Sequence, residues 1–131
     1  SKNGGALPRL MLPFRFFVGG PVGSGRQWMS WIHIADEVGA IRFLIENGKA
    51  IGAFNLSAPN PVTNADFGRS LGRRLGRPAV VPMPEFLLRL VYGEMADVLL
   101  NGQRAVPRRL THMSYAFRFA EIDAALEDVL P

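Results

Sequence analysis

Proline and glycine cut this chain into short pieces. Ten prolines and fourteen glycines fall among its 131 residues. Their clusters mark places where a helix or strand has to stop, because proline lacks an amide N–H and glycine is costly to hold in a regular element. Ala58-Pro59-Asn60-Pro61 is a break that no regular element crosses, and Gly19-Gly20-Pro21-Val22-Gly23-Ser24-Gly25 reads as a loop. Gly48, Gly76 with Pro78, and Gly102 read as stops for the helices before them.

Between the breaks, apolar spacing names the elements. Ala6 to Phe17 is an apolar helix interrupted by Pro8 and Pro13, and Gln27 to Ile34 suits a strand. Ile34 to Asn47 is an amphipathic helix with Asp36 and Glu37 in its positively polarised first turn; Val38, Ile41 and Leu44 or Ile45 form its apolar face. Ala53 to Ser57 is a compact strand. Thr63 and Asp66 resemble a capping box opening a helix whose Phe67, Leu71 and Leu75 share a face. Ala79 to Pro82 is a brief strand, followed by one long helix from Glu85 to Asn101 with Leu87, Leu90, Val91, Met95 and Val98 inward. Tyr115, Phe117 and Phe119 alternate as in a strand, and Ile122, Ala125, Leu126 and Val129 recur as in a closing helix. The expected fold class is α/β, with helices packed on a small mixed sheet.

Composition bounds the function. The chain is 48% hydrophobic and 20% charged, values that predict a packed core and exclude wholesale disorder, collagen-like repetition and a coiled coil. Its length suits one domain. Without cysteine it has no disulfide, zinc ribbon or thiol catalysis, and with only His33 and His112 as imidazole ligands no metal site is expected. The net charge is 15 − 11 = +4, and all but two of the cations are arginine. That bias suits an anionic partner, and a codon bias would produce it equally. The apolar runs Leu10 to Val18 and Phe86 to Leu100 are interrupted by charges or proline, so no transmembrane segment is expected and the protein reads as soluble and cytoplasmic. The start at Ser1, already like the middle of something, suggests a fragment.

The local motifs each carry two readings. Gly23-x-Gly25 invites a phosphate loop, but a dinucleotide turn lies between a strand and a helix, whereas these glycines precede a strand. Arg26 and Gln27 at the loop exit either meet a ligand or are ordinary turn side chains. In an extended segment Met29, Trp31 and His33 share one face, which is a cleft wall or part of the core. His33 and Asp36 have no nucleophile beside them, so Asp36 reads as a helix-start residue. The row Arg69, Arg73, Arg77 is either a solvated helix face or a track for a nucleic-acid backbone. No aromatic stacking platform accompanies it, and nucleic acid is not the expected partner.

The run Gly23-Ser24-Gly25-Arg26-Gln27 through Trp31-Ile32-His33-Ile34-Ala35-Asp36 resembles a segment of extended short-chain dehydrogenase/reductases. Ala53-Phe54-Asn55-Leu56-Ser57-Ala58-Pro59 followed by Val62-Thr63-Asn64 resembles a later strand and helix start of the same superfamily. Arg77 to Pro84, Gly102-Gln103-Arg104 to Leu110, and Tyr115 to Leu126 resemble the C-terminal domain of one subgroup, the nucleoside-diphosphate-sugar epimerase-like proteins. Members of that subgroup are also labelled cell-division inhibitors, and their C-terminal module is a domain of unknown function.

The resemblance implies a substrate-binding C-terminal portion of an NAD(P)-dependent, Rossmann-type enzyme. Residues 1–76 would end the dehydrogenase-like region and residues 77–131 would form the C-terminal module. The superfamily's Gly-x-x-Gly-x-x-Gly loop and Tyr-x-x-x-Lys pair have no counterpart in this sequence, since Tyr92 and Tyr115 are followed four places on by Ala96 and Phe119. No catalytic or cofactor-binding residue is therefore assigned; NAD or NADP would belong to the parent protein. The implied substrate site comprises Arg26, Gln27, Met29, Trp31, His33 and Arg104, with an anionic small molecule such as a nucleotide sugar as ligand. Sugar-nucleotide epimerases begin this strand Gln-x-Arg-Asp, the Arg gripping pyrophosphate; here Met29 and Ser30 stand instead, and Arg26 or Arg104 is left to substitute. By the same resemblance Ala53 to Ser57 belongs to the cofactor domain's parallel sheet, so an orphaned edge and a homodimer are expected. The competing function is a non-catalytic basic module that binds acidic proteins or nucleic acid.

Overall fold

A computed structural model describes residues 3–130. Among these residues seven helices enclose two short strands. In chain order they are α1 (Leu7–Arg15), β1 (Trp28–Met29), α2 (Ile34–Glu46), β2 (Val62–Thr63), α3 (Asn64–Leu75), α4 (Glu85–Tyr92), α5 (Met95–Leu100), α6 (Arg108–His112) and α7 (Ile122–Val129). β1 and β2 pair antiparallel, with Trp28 opposite Thr63 and Met29 opposite Val62.

Two apolar clusters hold the molecule. Met11 and Phe14 of α1, Phe67 and Leu71 of α3, and Ile122 and Leu126 of α7 form the larger one. Val22, Leu88, Ala96 and Leu99 form the smaller, and Leu10 and Met29 pack against both. A backbone seam joins the halves of the chain: Val81 N–H donates to Gly19 O (3.1 Å), Met83 N–H to Pro21 O (2.9 Å) and Gly23 N–H to Met83 O (3.1 Å). The backbones of Trp28 and Gly102 approach so closely that a Cβ on Gly102 would run into the Trp28 carbonyl.

The helices expected at both ends of the chain and in its middle are present. Pro8 lies in the first turn of α1, where its missing N–H is harmless. Thr63 caps α3 by accepting from Asp66 N–H (3.2 Å) while its hydroxyl donates to Asp66 Oδ2 (2.7 Å), and Gly76 closes α3 in the left-handed region. The α/β class holds, with the sheet reduced to one antiparallel pair and an isolated parallel bridge between Val22 and Met83.

Several expectations are corrected. The strand expected from Gln27 to Ile34 is regular only at Trp28–Met29, because its partner begins just after Pro61. From there Ser30 Oγ replaces the ladder, donating to Gln103 O (2.6 Å) and accepting from Ala105 N–H (2.9 Å). Ala53 to Ser57, Ala79 to Pro82 and Tyr115 to Phe119 are not strands. Tyr115, Phe117 and Phe119 keep an alternating burial, but no strand among the described residues pairs with them. The long helix expected from Glu85 to Asn101 is two, parted at Gly93 (φ 56°, ψ −129°), a conformation only glycine adopts without strain. Its inward residues are Leu88, Ala96 and Leu99, whereas Leu90 and Val98 are 81% and 74% exposed. On α2 the apolar stripe is likewise outward, with Val38 59% and Ile45 79% exposed, and Asp36 and Ala40 are the buried residues. α6 is a further helix that no apolar spacing in the sequence predicts.

Candidate functional site

Met29 stands at the junction of two grooves. One, of about 640 Å³, runs between Trp28-Met29-Ser30, Met95 and Val98 beside α5, and the Gly102-Gln103 turn. The other, of about 240 Å³, lies between α1, the Met29 to Ile34 segment and α7. Three of the expected site residues, Met29, Trp31 and His33, line this second groove together. Trp31 is fixed there by its indole N–H, which donates to Asn60 O (2.9 Å).

His33 is held on three sides. Its Nδ1 accepts from Ala35 N–H (3.1 Å) and so caps α2, which leaves the proton of the neutral ring on Nε2. Nε2 lies 3.2 Å from Asp128 Oδ2 without the alignment of a hydrogen bond. The ring packs against Phe119 with centroids 3.9 Å apart.

The other three expected residues lie elsewhere. Gln27 serves the fold: its amide donates to Val22 O (2.9 Å) and Leu99 O (3.0 Å), tying the loop to α5. Arg26 is exposed and lines neither groove. Arg104 sits over the Trp28 ring, 4.9 Å from its centroid, and borders a separate depression with Arg108 and Arg109. Ser30, which stands where an epimerase strand would carry its arginine, spends its hydroxyl on the 103–105 backbone.

Asp36 does more than open a helix. It is 1% exposed, and its two carboxylate oxygens accept from the backbone N–H groups of Arg118 and Phe119, both at 2.8 Å, with the Tyr115 hydroxyl nearby. The carboxylate thus anchors the irregular 115–119 segment beneath α2, and that segment carries the Phe119 ring to His33. Burial pushes the Tyr115 phenol up, and the Asp36 charge and hydrogen bond act in the same direction. Arg109 has a comparable anchoring role, donating to Ala53 O (2.8 Å) and Ile51 O (2.7 Å). No spacing signal marks either residue, since both bind backbone groups far away in sequence.

The Gly23-x-Gly25 turn does not have the geometry of a dinucleotide's phosphate loop. Gly23 and Gly25 shape the turn into β1, where Gly25 O accepts from Ala65 N–H (2.9 Å), and no helix N-terminus follows them to meet a pyrophosphate. No helix among the described residues is long and apolar enough to cross a membrane.

The chain is similar along nearly its whole length to epimerase family proteins and matches their C-terminal part. A family described as a domain of unknown function, DUF1731, matches residues 83–129. The epimerase family protein SDR39U1 of Mus musculus is 46% identical over 130 residues, which are 98% of this chain and 44% of that protein. The crystal structure of human epimerase family protein SDR39U1 (isoform 2) with NADPH superposes with a TM-score of 0.88 at 41% identity, covering 97% of this chain and 43% of that one. A nucleoside-diphosphate sugar epimerase from Corynebacterium glutamicum superposes with a TM-score of 0.75 at 32% identity, covering 99% and 24%. The chain thus spans less than half the length of the relatives it matches.

Proposed function

We propose that this chain is the substrate-binding portion of a cytoplasmic, NAD(P)-dependent epimerase-like oxidoreductase, and that it is inactive by itself. In this reading the preceding part of the parent protein binds the cofactor and supplies the proton-transfer residues. Residues 77–131 form the C-terminal module, and the substrate is a nucleotide sugar or a related anionic small molecule. The observation that carries the reading is the superposition on 43% of a human relative crystallised with NADPH. The groove beside Met29, Trp31 and His33 supports it further, because apolar walls with a few fixed polar groups suit a small ligand.

Fluorescence titration of the chain with NADPH tests the division of labour. No saturable binding is expected in the low micromolar range, since no phosphate-cradling turn is found among the described residues. Tight binding by the chain alone would overturn the reading. Upstream coding sequence without a Gly-x-x-Gly-x-x-Gly loop and a Tyr-x-x-x-Lys pair would do the same.

A further inference from the structure

Arg104, Arg108 and Arg109 border one depression of about 340 Å³, together with Asn55 and the small apolar residues Ala53, Ala105 and Val106. No carboxylate lines it. Arg42, Arg69, Arg73 and Arg89 each pair with an acidic side chain, whereas Arg104, Arg108 and Arg109 have no ion-pair partner among the described residues. Arg109 also borders the adjoining depression beside Lys49, again without a carboxylate.

Two of the guanidinium groups are held in place. Arg104 lies on the Trp28 face, and Arg109 lies on the Phe54 face at 3.9 Å while donating to the Ile51 and Ala53 carbonyls. Each is backed by an aromatic ring, and Arg108, which is exposed, borders the same depression. Gathering three cations around one hollow is unfavourable until an anion enters, and fixed planar forks lose little freedom when it does.

We propose that this depression is an anion-binding site for a diphosphate group, with Arg104 and Arg108 as its principal donors and Arg109 as a fixed positive wall. The inference rests on the reading above for its ligand and deepens it by naming the anchor of the ligand's phosphates. It supplies the cations that Met29 and Ser30 do not. A nucleic-acid strand fits less well, because the Trp28 and Phe54 faces that could stack on bases are covered by guanidinium groups.

Isothermal titration with inorganic pyrophosphate at low salt is the test, with orthophosphate and citrate in parallel. Saturable binding is expected, tighter for pyrophosphate than for either other anion. It should weaken about tenfold in Arg104→Gln and in Arg108→Ala, the loss expected for one charge-assisted contact. Arg69→Gln, which removes a guanidinium already paired with Asp66, should leave binding unchanged. Arg109→Lys tests the wall while keeping the charge, since Arg109→Ala would also free the 51–53 backbone. Absence of saturable binding, or binding indifferent to Arg104 and Arg108, overturns the site. Equal affinity for citrate overturns the diphosphate assignment, and RNA binding that pyrophosphate does not displace assigns the patch to a nucleic acid instead. The NADPH experiment is independent of all these outcomes, so failure here leaves the proposed function standing.

Discussion

Single side chains hold the loops of this molecule where regular structure does not. Replacing Asp36 by alanine leaves two buried backbone N–H groups without acceptors, and unfolding in urea should show a loss of about 3 kcal/mol. Asp36→Asn should recover only part of it, because the amide NH2 would face another donor. Alkaline pH reads the same region. Both tyrosines of the chain, Tyr92 and Tyr115, are raised by burial. A phenol raised in the fold holds its proton more tightly than when unfolded, so its contribution is complete below about pH 10 and is lost as pH rises through the folded value. Phenolate absorbance should therefore appear at higher pH in the folded chain than in urea, and Tyr115→Phe should remove one of the two components. An unchanged titration would place Tyr115 away from Asp36. At this scale the sequence was partly legible. The spacing of Met29, Trp31 and His33 marks a cleft wall or part of the core, and His33 lies buried beside a groove. Its capping of α2, and the long-range bonds of Gln27, Asp36 and Arg109, follow only from the path of the backbone.

At the scale of elements, legibility followed local chemistry. α3 could be read because its cap, apolar face and terminal glycine all lie within its own residues. The strands could not, because a strand is defined by its partner: Tyr115 to Phe119 alternates in burial, yet no ladder forms beside it. The Glu85 to Asn101 region failed for another reason. Phe86, Leu87, Leu88, Leu90 and Val91 surround α4 with apolar side chains, so periodicity could not choose the inward one, and Gly93 then resets the phase for α5. Gly93→Ala should cost about 1 to 3 kcal/mol, since alanine is strained at that φ and ψ. A thermal melt reports it. No change would mean that one continuous helix is as good.

For the whole molecule, the exposed stripes of α2 and α4–α5 dominate. Ile34, Val38, Ile41 and Ile45 on one side and Phe86, Leu90 and Val98 on another leave more apolar surface in water than a lone small domain usually tolerates. Self-association of the chain is expected, through these helix faces. Ala53 to Ser57 forms no strand, so the edge pairing expected from the sequence is replaced here by helix faces. Light scattering should show mass rising with concentration, and the double substitution Val38→Glu, Ile45→Lys should suppress the rise. A strictly monomeric chain at high micromolar concentration would contradict it. The backbone seam at Met83 bears on a different question. Descent groups residues 83–129 as one recurring unit, but that stretch takes its closing helix, α7, to a core built from α1 and α3, and it seats Leu88 and Leu99 against Val22. Excised at those limits, it would leave its foundations behind. What is inherited as a block is not portable as one, and any graft or truncation has to carry residues 7–75 with it.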